Sequence, residues 1–420
     1  LDPGKVQDIR DLVRELPNVS VKRAPVRFGG VTGSVGRDGN AGFNIRGLEG
    51  NRVLLTVDGI RVPRELNSGV FGPAAFGRDY YDLGLISRVE ILRGASSALY
   101  GSDGLAGMVA MFTTEPKDLL APGQTFGGRV GLAYDSEDGG RRLGLTLAGK
   151  ASDTVQWLGS VQVGRSRELD NQGENLSLNS NRTAPNPQKD SQQGVLGKVV
   201  ITPGGGQRHT LTFEHVNRDS EVEAYSGRAV SATASTSVVD LDGNSDMKRT
   251  RLSWDGRFKV GSAWADEVRA TLGWQDAESR EVTYEKRLSA ADRSRDVHYT
   301  ERTLQATLQA EKTSALGKDW SHKLVYGTDF SQARLDNLVT GVTPPAYESY
   351  PLQRFPTTDE RTLALFAQSE LANEQWSVIP ALRYDHVSLD AKKSALYPLD
   401  PASLSASALT PKLGVIYRAA

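Results

Sequence analysis

The chain has 420 residues, more than one domain usually holds, so two domains or one large barrel are expected. Its 50 Lys and Arg nearly balance 51 Asp and Glu, giving a net charge of −1, which argues against the basic excess of a nucleic-acid binder. Cysteine is absent, which excludes a disulfide framework, a thiolate zinc site and a cysteine nucleophile.

No window reaches the roughly eighteen consecutive apolar residues of a membrane-spanning helix, and the mean hydropathy is −0.41. That excludes a helical membrane protein. It does not exclude a membrane β-barrel, whose strands alternate apolar and polar residues and average to a polar value. The opening Leu1-Asp2-Pro3-Gly4 lacks the basic and apolar regions of a signal peptide, so a removed leader or a fragment is expected.

Residues 1 to about 120 read as mixed α/β. Val6, Ile9, Leu12, Val13 and Leu16 recur at helical spacing, and Pro17-Asn18 stops the pattern, which predicts a short helix. Strand-like runs follow at Phe43 to Arg46, Arg52 to Val57 and Ser87 to Leu92. Asp58-Gly59 predicts a hairpin that folds Val53–Val57 onto Ile60 to Val62. Arg64 to Arg78 has neither period and reads as a loop, the kind of segment in which binding residues tend to sit.

From Phe126 onward the period is two. Val155, Trp157, Gly159, Val161 and Val163 fall on one face, Gln156, Ser160 and Gln162 on the other. Leu304, Ala306, Leu308 and Ala310 alternate with Gln305, Thr307 and Gln309, and Val268 to Gln275 and Ser377 to Asp385 behave alike. A soluble sandwich alternates too. Loop asymmetry favours the membrane: tight turns at Ala151 to Thr154, Pro203 to Gly206 and Ala372 to Glu374 take turns with polar stretches. Those stretches, near 168–193, 219–246, 279–297, 335–360 and 389–408, are expected as extracellular loops.

Three motifs carry a family resemblance. Asn44-Ile45-Arg46-Gly47, Val53 through Gly59, and Val89-Glu90-Ile91-Leu92-Arg93-Gly94 running on through Tyr100-Gly101 resemble the plug domain of TonB-dependent outer-membrane receptors. The resemblance implies an all-β transmembrane barrel with an N-terminal α/β plug in its lumen, the plug over 1–120 and the barrel over 126–420. About twelve strands are counted where the plugged transporters have about 22, so about half of a barrel is expected, with truncation at both ends. It also implies localisation in the bacterial outer membrane and a monomer, and the run Arg78 to Leu83, followed by Arg88 to Gly94 and the exit Glu115 to Leu120, looks most like the haem and haemoglobin receptor branch. The partners implied are TonB with its inner-membrane energising proteins, haem, haemoglobin or a ferric siderophore, and outer-membrane lipid, with no nucleic acid. Haem or a ferric chelate would be the transported ligand, with no permanent cofactor. A non-transporting surface binding protein is the alternative of another class.

In this family, arginines in the contexts of Arg46 and Arg93 look inward to barrel glutamates and hold the plug; the simpler reading makes them structural, with no part in ligand binding. Candidate ligand contacts at the plug apex are Arg64, Asn67, Phe71, Arg78, Tyr80 and Tyr81. Tyrosine can hold haem iron, but packing is the preferred role of Tyr80 and Tyr81. The family's barrel histidine motif is expected beyond Ala420 and the TonB box before Leu1. Among the five histidines, His209 and His215 are expected on the lipid or interface face, and His386 stands nearest a loop. Asp240 to Asp246 resembles a calcium loop but lacks its closing Glu, so a solvated acidic turn is preferred. No catalytic constellation is found, and an enzyme is not expected.

Overall fold

The computed structural model describes residues 9–21, 42–67, 75, 76, 78, 80–94, 101, 104–346 and 348–418. The N-terminal part begins with a one-turn helix, Ile9–Val13, whose Ile9 and Val13 face the interior. The helix ends earlier than its apolar spacing predicts, because Leu16 already lies in the turn leading to β1 (Val19–Val21), while Val6 lies outside the described residues. β1 pairs with β2 (Phe43–Ile45).

A four-stranded sheet follows, built from β3 (Val53–Val57), β4 (Ile60–Arg61), β7 (Ile86–Arg93) and β8 (Gly107–Thr113) in the order β4-β3-β8-β7. All five residues of β3 are buried, the pattern of a strand covered on both faces and the reason that it is a continuous apolar run. Asp58 and Gly59 take positive φ values of 51° and 84°, as the tight hairpin requires, and Val57 pairs with Ile60. Within the segment expected as loop, β5 (Leu66–Asn67) and β6 (Ala75–Phe76) form a minimal ladder. Backbone pairing of two residues from each strand closes such a ladder, too few to leave a period in the sequence.

The second part is one antiparallel sheet of twelve strands, each paired with its neighbour in sequence. They are β9 (Phe126–Asp135), β10 (Gly140–Lys150), β11 (Val155–Arg167), β12 (Gln188–Gly204), β13 (Gln207–Glu223) and β14 (Val238–Lys259). The series continues with β15 (Glu267–Arg287), β16 (Arg293–Leu316), β17 (Trp320–Val342), β18 (Thr358–Ala372), β19 (Trp376–Ala391) and β20 (Leu404–Tyr417). β9 and β20 are its edges, so the barrel is partial.

The outer face is apolar. Leu132, Leu308 and Leu365 are 79%, 50% and 56% exposed, the inverse of a soluble sheet and the arrangement of a wall that faces lipid. His209 lies on that face as expected, stacked on Trp254 at 6.0 Å, and with Phe258 and the Trp376–Tyr417 pair it marks an aromatic row at the short-turn end. His215 shares the face and bonds Thr250 at 3.0 Å.

Several stretches expected as loops are strand. β15 and β16 have 21 and 24 residues, and only five residues, 288–292, connect them where 279–297 reads as loop. A span needs about 10 tilted residues, so these strands project well beyond the apolar belt. There the outer face is wet while the inner face stays buried, and cross-strand ion pairs replace apolar contacts on the outer one: Arg280 bonds Asp296 at 2.9 and 2.5 Å, and His298 meets Glu278 at 3.0 Å. Hydropathy fades while the backbone ladder continues. Asp240–Asp246 is likewise part of β14, not a turn; Asp240 pairs with Arg228 and Asp246 with Lys248. No group of three metal-ligating side chains occurs among the described residues.

Candidate functional site: the interface between plug and wall

The N-terminal part sits against the inner face of the curved sheet. Where inward-facing wall residues meet it, several are apolar: Met247 and Ala277 join the core of Ile45, Val53 and Tyr80, and Leu158, Leu196 and Val216 pack on Leu85. The hairpin β3-β4 makes the most specific contact. Ile60 enters the wall at Gly273, where an added Cβ would lie 2.4 Å from its Cδ1. The free edge of β4 is satisfied by wall glutamines: Arg61 N–H donates to Gln305 at 3.0 Å, and Gln275 donates to the Arg61 carbonyl at 2.8 Å.

At the tip of this hairpin Asp58 is the centre of an ionic cluster. Its Oδ2 accepts from Thr113 Oγ1 at 2.6 Å and Arg251 Nη2 at 2.9 Å, with Lys198 Nζ at 3.6 Å. Thr113 N–H donates to Oδ1 at 2.9 Å. Arg251 also donates to the Val57 carbonyl at 3.2 Å and Lys198 to that of Thr113 at 3.2 Å. Behind them Glu214 accepts from Arg249 at 2.6 Å and from Arg251 Nε at 2.8 Å, all three side chains fully buried. Burial pushes the Asp58 carboxyl up, but the charges of Lys198 and Arg251 and the bonds from Thr113 and Arg251 outweigh it and hold the group well below its ordinary value. Nearer the start of the barrel, Arg208 bonds Glu115 at 2.9 Å. Burial raises the Glu115 carboxyl less than Lys117, Arg208 and Lys198 lower it, so it too stays ionised.

Toward the long-loop end, a cleft of about 320 Å³ separates the hairpin from β15–β20 and is lined by Arg61, Arg64, Arg78, Glu301, Glu360 and Asp385 among others. Arg64 pairs with Glu360, and its N–H donates to Glu301 at 3.3 Å; Glu301 also accepts from Tyr299 at 3.0 Å. Arg78 touches the cleft, yet it is 3% exposed and serves the backbone, donating to the carbonyls of Gly50 and Val53 at 2.7 and 2.8 Å.

Tyr80 and Tyr81 are each 1% exposed in the core, and the Tyr81 carbonyl accepts from Arg218 at 2.8 Å, a placement that agrees with the packing role preferred for them. Asn67 is placed only as backbone in β5, and Phe71 lies outside the described residues. Arg46 and Arg93 do not reach barrel glutamates among the described residues. Arg46 sits in an exposed turn with φ of 54°, and exposed Arg93 ends β7, donating to the Pro17 carbonyl at 3.0 Å. The polarity of the attachment is mixed: at Asp58 and Glu115 the plug supplies carboxylates and the wall cations, while at Arg64 and Glu360 the plug supplies the cation. His386 bonds Ser407 at 2.9 Å on the outer face.

Sequence reasoning missed Asp58, Lys198, Glu214, Arg249 and Arg251. A signal existed: Glu214 stands between Phe213 and His215, and Arg249 and Arg251 alternate with Thr250 and Leu252, which puts three charges on the face opposite the apolar one.

A profile described as "TonB-dependent Receptor Plug Domain" matches residues 1–108, and one described as "TonB dependent receptor-like, beta-barrel" matches 190–420, more than half of the chain. The chain belongs to the TonB-dependent receptor family. A "Hemin receptor" of Yersinia enterocolitica is 26% identical over 384 residues, 90% of this chain and 48% of the relative. A "Transferrin-binding protein A" of Haemophilus influenzae is 33% identical over 154 residues, covering 35% of this chain and 16% of its own. The chain thus spans about half the length of the hemin receptors it matches. Among solved structures, the Serratia marcescens hemophore receptor HasR, in complex with its hemophore HasA and heme, superposes with a TM-score of 0.66 at 17% identity, over 98% of this chain and 57% of HasR. The ferric citrate transporter FecA superposes with 0.66 at 16% identity, over 99% and 59%.

Proposed function

We propose that this receptor sits in the outer membrane, captures haem or a haem protein at the cell surface and imports haem when TonB acts on the plug. The observation that carries this reading is the match of hemin receptors along 90% of the chain, through both the plug and the wall. The geometry agrees with it. The wall's apolar outer face suits lipid, and the strands that project past the belt at the long-loop end suit an extracellular rim. Below that rim, the cleft between the plug hairpin and the wall offers the guanidinium of Arg64 beside Arg61, donors suited to the carboxylates of an anionic ligand. Arg61, Arg64 and Arg78 form the plug side of this capture region, with Arg64 as the residue that meets the ligand and Arg78 as the residue that braces the backbone at Gly50 and Val53.

A second reading, import of a ferric chelate, draws on the cleft itself. Its named charged lining is guanidinium and carboxylate, which suits a carboxylate-bearing chelate as well as haem propionates. The two readings separate in one experiment on the detergent-purified receptor: titration with haem, followed by Soret absorbance, beside titration with ferric citrate, followed by intrinsic fluorescence. A saturable Soret shift supports haem. A silent Soret band with saturable ferric citrate binding transfers the assignment to the chelate.

A further inference from the structure

The ionic cluster at Asp58 is unbalanced. Three cations, Lys198, Arg249 and Arg251, meet two carboxylates, and only Glu214 belongs to the wall. Arg249 is 1% exposed, and its Nε and Nη1 have no acceptor among the described residues, because both Glu214 oxygens are already engaged. Buried donors without acceptors are costly, and a guanidinium cannot discharge its cost by deprotonating. When the plug hairpin leaves the wall, Asp58 leaves with it, and the three cations face Glu214 alone. Two further cations lie on β13, the strand of Glu214, between the strands that carry the three: Arg218 donates to the plug's Tyr81 carbonyl, and Arg208 pairs with the plug's Glu115. Here, too, the partners that satisfy the wall belong to the plug.

We infer that Lys198, Arg249 and Arg251 form a second, plug-masked anion site, with Asp58 as its resident carboxylate. It takes the carboxylate groups of an anionic cargo as the plug shifts. Asp58 and the cargo are competitors for one set of donors. Displacement of the hairpin therefore does two things at once: it opens space beside the wall and uncovers a net positive surface behind the first cleft. An anionic ligand released from Arg61 and Arg64 finds the next carboxylate site on the wall, ahead of Arg208 at the short-turn end. This inference rests on the import reading above for its cargo, but the anion site itself does not.

The site is tested first without any cargo. Asp58→Gly removes the carboxylate at a residue whose φ of 51° glycine adopts readily, leaving a void in front of the cations. Thermal unfolding of detergent-purified Asp58→Gly receptor is measured in acetate and in chloride at equal ionic strength. Acetate is expected to restore part of the lost melting temperature, with no effect on the parent protein, and the gain should vanish in Asp58→Gly/Lys198→Gln. Equal melting in acetate and chloride overturns the anion site.

The transport role is tested in the background of native Asp58, so it stands even if Asp58→Gly fails to fold. Lys198→Gln and Lys198→Arg receptors are compared in cells for surface binding of haem and for its uptake. The relay requires Lys198→Gln to slow uptake roughly tenfold with surface binding unchanged, and Lys198→Arg to restore it. A cluster that served only as a latch would give the opposite sign, since a weaker latch does not slow plug movement; unchanged or faster uptake in Lys198→Gln overturns the relay. Failure of the parent receptor to bind haem would refute the haem reading instead and leave the acetate result standing.

Discussion

Replacing Glu214 by Gln tests whether the buried cluster holds the plug to the wall. The substitution keeps the side chain's shape and removes its charge. Three short contacts depend on that charge: Arg249 Nη2 at 2.6 Å, Arg251 Nη2 at 2.6 Å and Arg251 Nε at 2.8 Å. A glutamine has one acceptor oxygen, so at least one guanidinium is left without its partner while Asp58 alone faces three cations. Removing one partner of a fully buried ion pair costs about 3–5 kcal/mol, because the other charge stays buried and uncompensated. The loss falls on attachment of the plug, since Arg251 is also the donor to Asp58 and to the Val57 carbonyl. The chain has no cysteine, so a single fluorophore on Glu90→Cys, an exposed position of β7, reports plug release in urea without interference. The release midpoint should fall by the equivalent of about 3–5 kcal/mol in Glu214→Gln. Adding Arg249→Met, which removes the orphaned cation, should recover part of the loss. A change below about 0.5 kcal/mol, within the range of surface substitutions, would refute the role assigned to the cluster.

Three further outcomes are expected. The Asp58 carboxyl is held below its ordinary value of 3.8, so its contribution is complete above that value and disappears only as pH falls through the lower folded-state value. The difference in plug release between the parent and Asp58→Asn should therefore persist at pH 4, and its disappearance already near pH 5 would contradict the assignment. Gly273→Val drives a side chain into Ile60 and should destabilise the attachment by about 1–3 kcal/mol, with Ile60→Ala relieving most of it in a double-mutant cycle; additive effects would show that the two do not meet. Arg64→Met should weaken ligand binding with the plug folded, whereas Arg78→Met, which removes donors to buried carbonyls, should raise protease sensitivity of the plug itself. Equal behaviour of the two variants in both assays would refute the division between them.

Much of the architecture is legible in the residues because its causes are local. The all-buried Val53–Val57 run, the Asp58-Gly59 turn and the alternation at Val155–Val163 each reflect one strand and its two faces. What escapes is set by partners far apart in the chain. β15 and β16 continue through polar sequence because Arg280 finds Asp296 across the ladder, a pairing that no single-strand period reveals. Asp58 reads as a turn residue and is one, yet its second role depends on Lys198 and Arg251, 140 and 193 positions away. The family motif draws attention to Arg46 and Arg93, while the attachment is made by charges on the wall's inner face. Arg78 ends a loop-like segment, and only the packed structure turns it into an interior residue.

The central claim, import of haem driven by TonB, is tested most directly by uptake of iron-labelled haem into cells that express the receptor, with and without TonB. The account requires saturable surface binding in both strains and accumulation inside the cell only where TonB is present. Accumulation that is equal in the two strains, or bound haem that never enters in the presence of TonB, would contradict it.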